Sequence, residues 1–138
     1  MDQPLRILVV DDEIDLVRML RTHLEAEGYQ VITASNGITA LSLLAQDRFD
    51  LLIVDVKIPD MSGLDIVRGG RQVDGNVAII MMTAYATVET VIEALRLGAD
   101  DFLVKPFRVN FALLPMVERC LAARRPLDPA QPSMAEVS

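Results

Sequence analysis

The chain of 138 residues has a single cysteine and no apolar run long enough to span a bilayer. Cys120 alone cannot form an internal disulfide, so a reducing cytoplasm is the expected compartment. Without a spanning run, no membrane-embedded role is expected. The N-terminus, Met1-Asp2-Gln3-Pro4, is polar and lacks the basic start of a signal peptide. Positive charge is also scarce, with 13 Lys and Arg against 20 Asp and Glu, a formal net charge of -7. That balance argues against direct nucleic-acid binding, which favours a basic stripe, and against docking on anionic membrane. No internal repeat stands out.

Hydrophobic residues make up 51% of the chain, which excludes disorder throughout. The length suits one domain with a sizeable core. Apolar runs at Leu5 to Val10, Tyr29 to Ala34, Leu51 to Val54, Val77 to Met82 and Asp101 to Lys105 read as strands. Between and after them lie five helical stripes. The first begins at Ile14 and stops at Gly28, and the second follows the N-cap candidate Asn36. The third opens on Ser62 with Asp65 three residues on, a variant capping box, and Gly69-Gly70 is expected to fray or stop it. The fourth follows Thr87, with Val88, Val91, Ile92 and Leu95 facing inward and Gly98 as its stop. The fifth is expected over roughly Val109 to Ala123. Pro115 falls inside it and would remove a hydrogen bond, at a cost of about 3 kcal/mol if truly interior. So that helix either starts late, near Leu113-Leu114, or is kinked.

Alternating strands and helices predict an α/β fold, a five-stranded parallel sheet with right-handed crossovers and helices on both faces. Residues 1–123 form the expected domain. Residues 124–138, rich in Pro, Ala, Ser and Gln, are expected to be a disordered tail or the start of a linker.

Polar residues close four of the strands: Asp11 and Asp12 after the first, Asp55 after the third, Thr83 after the fourth and Lys105 after the fifth. In a parallel sheet these ends share one edge, where open α/β sheets place their chemistry. Three close carboxylates need a cation between them, and oxygen ligands of this kind suit Mg²⁺. Mg²⁺, the Lys105 ammonium and the Thr83 hydroxyl are equipment for holding a phosphoryl group, and a carboxylate can serve as nucleophile.

On these residues the chain resembles the response-regulator receiver domain of two-component signalling. The matching segments are Leu8-Val9-Val10-Asp11-Asp12-Glu13, then Asp55 with Pro59 and Gly63, Thr83-Ala84, and Lys105-Pro106-Phe107. The resemblance covers residues 5 to 123, and its later segments look like the nitrogen-regulator type. It implies a flavodoxin-like (βα)5 fold with strand order 2-1-3-4-5. It also implies that Asp55 accepts phosphate from a sensor histidine kinase. Asp12 would bind Mg²⁺ directly, Asp11 mainly through water, and Asp55 and the Lys57 backbone carbonyl would complete the protein ligands. Thr83 would bond a phosphoryl oxygen and Lys105 would pair with it. Phe102 would be the rotating switch aromatic, and the Lys105-Pro106 bond would be cis. Phosphorylation would then change the surface of helix four, strand five and helix five, to control an output domain or partner. Homodimers form through that surface in the family, although an altered fifth helix puts this mode in question here.

Several positions invite a second reading. Lys57 and Tyr85, two residues past Asp55 and Thr83, either modulate dephosphorylation or are ordinary exposed side chains. Lys57 would pair with Glu89 or with the phosphoryl group. Glu13 reads as a charge complementing a helix N-terminus rather than as a ligand. Phe102 lacks the hydroxyl of the commoner Tyr, so its ring should favour burial. Three other functions fit these residues less well. A Mg²⁺-dependent phosphohydrolase with an aspartyl nucleophile would want a second Asp where Lys57 stands. A flavodoxin-like cofactor binder would want a phosphate-cradling loop where Asp11-Asp12-Glu13 stands. A phosphate-independent interaction module would have no need of all five site residues.

Overall fold

A computed structural model describes residues 3–124. The expected tail beyond Arg124 lies outside the described residues. Five strands, β1 (Arg6–Val10), β2 (Gln30–Ala34), β3 (Leu51–Asp55), β4 (Ala78–Thr83) and β5 (Asp101–Val104), alternate with five helices. The helices are α1 (Ile14–Ala26), α2 (Gly37–Gln46), α3 (Gly63–Val73), α4 (Val88–Arg96) and α5 (Leu114–Ala123). The strands form one parallel sheet in the order β2-β1-β3-β4-β5, as the resemblance implied.

Side chains alternate across the strands, so the sheet feeds two cores. Ile7, Val9, Ile53, Ile80, Met82 and Leu103 pack toward α1 and α5 with Leu20, Leu24, Leu113 and Val117. Leu8, Val10, Leu52, Val54, Ile79 and Met81 pack toward α2, α3 and α4 with Leu44, Ile66, Val67 and Ala94. Every residue of β3 and β4 is buried, which explains why their sequences are continuous apolar runs rather than alternating ones. Helix starts follow the expected caps. Asn36 Oδ1 accepts from Thr39 N at 2.8 Å, Ser62 Oγ from Leu64 N at 3.1 Å and Thr87 Oγ1 from Thr90 N at 3.1 Å. The Asp65 carboxylate, however, meets Arg68 at 3.4 Å.

Two expectations need correction. First, Gly69-Gly70 neither stops nor frays α3, which runs on to Val73. Gly69 serves packing: a Cβ there would lie 2.6 Å from Leu41 Cδ2, so the bare backbone lets α2 and α3 approach. Second, α4 does not turn its large apolar residues inward. Its only buried residue is Ala94, while Val88, Ile92 and Leu95 are exposed. The small Ala94 side chain brings the helix close to the sheet and leaves the bulky residues on the outer face. The fifth helix starts late, at Leu114, one of the two ways expected of it. A π-helical turn, Val109–Leu113, precedes α5, with Leu113 N donating to Arg108 O at 3.4 Å and Leu114 N to Val109 O. Pro115 therefore sits in the first turn of α5, where its missing N–H has no role to fill.

The sheet edge opposite the strand C-termini is tied by Arg71 at the end of α3. Its guanidinium donates to Gly98 O from Nε at 3.0 Å and from Nη2 at 2.7 Å. It also donates to the carbonyls of Gly75 and Val77 and to the Asp100 carboxylate. Gly98, at φ +109°, is required twice: the backbone is left-handed, and a Cβ would meet Arg71 Nε at 2.8 Å.

Gly70 is different from Gly69. A Cβ there would meet Leu52 Cδ2 at 3.6 Å and Leu44 Cδ1 at 3.7 Å, ordinary contact distances. Gly70→Ala should therefore stabilise the fold by about 1 kcal/mol through helix propensity alone, read from the midpoint of urea unfolding. A loss of stability would show that the α3 backbone cannot carry even one methyl group at this position.

Candidate phosphoryl-transfer site

Strand register assembles the site. Val10 is level with Val54, so Asp11 and Asp55 end neighbouring strands side by side. Asp55 is level with Met82, and Thr83 follows it in β4. Thr83 is level with Val104, which places Lys105 next, and Lys105 N donates to Thr83 O at 2.8 Å. Asp11, Asp55 and Thr83 are the buried polar or charged residues among those described. The Lys105-Pro106 bond is cis, as the resemblance implied.

Lys105 Nζ is the hub. It donates to Asp55 Oδ2 at 2.6 Å, Asp11 Oδ2 at 2.7 Å and Glu13 Oε1 at 2.8 Å. Asp55 Oδ1 accepts from Lys57 N at 3.0 Å, and Thr83 Oγ1 accepts from Tyr85 N at 3.2 Å. Lys57 forms no pair with Glu89. Its ammonium lies 4.5 Å from the centroid of the Tyr85 ring, joining the β3–α3 loop to the β4–α4 loop. Phe102 is half-buried against the core that faces α4 rather than fully inside it.

Two residues of the site escaped sequence reasoning. From sequence alone Glu13 is a charge at a helix N-terminus. It is the N-cap of α1, but it makes no side-chain cap bond and turns to Lys105 instead. Asp60 accepts from Gly37 N at 2.7 Å and from Ile38 N at 2.9 Å, fastening the β3–α3 loop to the start of α2. Those two N–H groups lower its pKa. Its partners lie 23 and 22 residues away, so no local pattern announces them. Gly63 is the third fixed point of this loop: a Cβ would fall 2.1 Å from the carbonyl oxygen of Asp55.

The donor set fits a hard divalent cation. Asp11, Glu13 and Asp55 offer oxygens within 4.8 Å of one another, all of them carboxylate. Asp12 does not join that group. It is exposed and lines a small cleft with Ile14, Val17 and Arg18. Cys120, by contrast, is an inert core thiol, with burial pushing its pKa up to about 11.

Burial raises the Asp11 pKa from 3.8 to about 6, helped by the Asp55 charge and only partly offset by Lys105. One ammonium shared by three carboxylates cannot neutralise them all. For Lys105 burial opposes the charge, yet its bonds to Asp11, Asp55 and Glu13 outweigh this and hold its pKa above the ordinary value. The sign for stability follows. A raised carboxyl pKa contributes stability that is complete below 3.8 and lost as pH rises through about 6. In metal-free protein, Asp11→Asn should therefore raise stability by about 1–3 kcal/mol above neutral pH, with little gain at pH about 4. Urea unfolding across that range checks it, and a gain independent of pH would refute the assignment to Asp11.

With the geometry in place, likeness to known proteins becomes informative. A model of the response regulator receiver domain matches residues 7–114. Regulatory protein AtoC of Escherichia coli is 42% identical over 116 residues, which is 84% of this chain and 25% of that protein. Sporulation initiation phosphotransferase F of Bacillus subtilis is 37% identical over 105 residues, 76% of this chain and 85% of that protein. A CheY-like receiver domain protein from Methanospirillum hungatei superposes with a TM-score of 0.84 at 31% identity, covering 87% of this chain and 95% of that one. The chain thus spans a quarter of one relative and most of another. The match over more than half its length, together with the fold and the five strand-end residues, establishes that this chain belongs to the response-regulator receiver domain family.

Proposed function

We propose that this receiver is a phosphorylation-controlled switch in which Asp55 is the phosphoacceptor. The observation that carries the reading is the 2.6 Å bond from Lys105 Nζ to the buried Asp55 carboxylate, beside Asp11 and at the end of the strand next to Thr83. An Asp55 oxygen attacks phosphorus on the phosphohistidine of a sensor kinase. The phosphorus–nitrogen bond breaks, and the histidine leaves with the electron pair. Lys105 and the Thr83 hydroxyl donate to the phosphoryl oxygens as charge builds. Mg²⁺ would be held by Asp11, Asp55 and the Lys57 carbonyl, with Asp12 turning in from its exposed position to join them, and when bound it would supply charge neutralisation at the phosphoryl oxygens. In this reading the chain is an enzyme only toward itself, in its own phosphoryl transfer and dephosphorylation, and it works in the cytoplasm.

The output surface is the face of α4, β5 and α5. Tyr85, Val88, Ile92, Leu95, Val104 and Phe111 are all exposed there. A partner or output domain, or a second copy on phosphorylation, would cover this apolar face. A shift of Thr83 toward the phosphoryl group would bias α4 through the 84–87 loop, with Phe102 following beneath.

Acetyl phosphate with Mg²⁺ should add one labile phosphoryl group by intact mass, absent in Asp55→Asn and in metal-free protein. No adduct in the wild type would leave the phosphate-independent interaction module as the better reading. Lys57 and Tyr85 should then set the lifetime of the adduct as a pair, since their contact spans the loops on either side of Asp55. Lys57→Ala and Tyr85→Ala should each shorten that lifetime by about two- to fivefold, and the double variant should add nothing further. Independent, additive effects would mean that the contact has no role in hydrolysis.

A further inference from the structure

Glu13 holds a place that strand-end logic does not supply. Its backbone N–H donates to Asp11 Oδ1 at 3.0 Å, which fixes where the residue sits. Its carboxylate then reaches Lys105 Nζ at 2.8 Å. An ammonium has three N–H donors, and here Asp55, Asp11 and Glu13 accept one bond each. A phosphoryl oxygen arriving on Asp55 can take a donor from Lys105 only if one carboxylate gives one up. The Asp11 side chain is fully buried and that of Asp55 is 7% exposed, whereas that of Glu13 is 62% exposed. Water can take over the bonds of Glu13 at low cost and cannot do so for Asp11.

We propose that Glu13 is a positioning residue that restrains phosphoryl acceptance by occupying the third donor of Lys105. Glu13 is the partner that lets go. The inference rests on Asp55 being the phosphoacceptor. Removing Glu13 leaves Lys105 anchored by the two buried carboxylates, with one N–H free for the phosphoryl group. The N-cap of α1 loses no side-chain bond in the exchange.

Phosphorylation by sub-saturating acetyl phosphate at saturating Mg²⁺, followed by intact mass, tests this in the wild type, Glu13→Ala, Lys105→Met and the double variant. Glu13→Ala should be phosphorylated about fivefold faster than the wild type. The same change in the Lys105→Met background should have no effect, because Glu13 acts through Lys105. A second readout needs no phosphorylation. In the unmodified protein the ¹⁵N signal of the Lys105 ammonium should be sharp in the wild type and broadened in Glu13→Ala. Equal rates in wild type and Glu13→Ala, an acceleration that persists without Lys105, or an unchanged ammonium signal would each overturn the role of Glu13 while leaving Asp55 as acceptor. A wild type that takes no phosphoryl group would overturn the function proposed for Asp55, and this inference with it.

Discussion

One positive charge shared among three negative ones sets the terms for this molecule. Lys105 brings a buried ammonium to within 2.8 Å of Asp55, at the end of β3, and of Asp11 and Glu13, in the loop after β1. No local segment could build this. It requires β1 beside β3 and β5 beside β4, in a register that stops all the strands at one level. The surplus of negative charge leaves the site short of cations, and it adds to the larger effect of burial in keeping Asp11 easy to protonate.

The rest of the fold divides around that site into parts held firmly and parts held lightly. β3 and β4 are buried along their whole lengths, and Asp60 and Gly63 fasten the loop that follows Asp55. α4 buries only Ala94 fully, and its far end is tied near Gly98 by Arg71. Such a division suits a switch, in which the reacting carboxylate must stay put while a surface element responds.

Most of this was legible in the sequence, and the reasons for the exceptions are physical. A buried parallel strand that ends on a carboxylate announces both its class and its edge, so Asp11, Asp55, Thr83 and Lys105 could be placed together before any coordinates. Apolar spacing in α4 was misread because periodicity finds a stripe but cannot say whether that stripe meets this chain or another molecule. Gly69-Gly70 was misread because propensity treats glycine as a helix breaker, while the approach of Leu41 makes it a spacer. The π-helical turn before Pro115 reconciles two expectations, a helical stripe from Val109 and a proline that needs a first turn. Glu13 and Asp60 stayed hidden because their partners are distant in sequence, and only the folded chain introduces them.

The tight clearance at Gly63 bears on how variation in this chain should be read. Any side chain there would collide with the carbonyl of Asp55, a backbone atom that cannot step aside. Position 63 therefore admits one amino acid for reasons of shape alone. In a survey of all substitutions, intolerance at Gly63 would look like intolerance at Asp55, although Gly63 takes part in no chemistry. The two could be told apart by protein abundance, which a blocked backbone lowers and loss of the proposed phosphoacceptor does not.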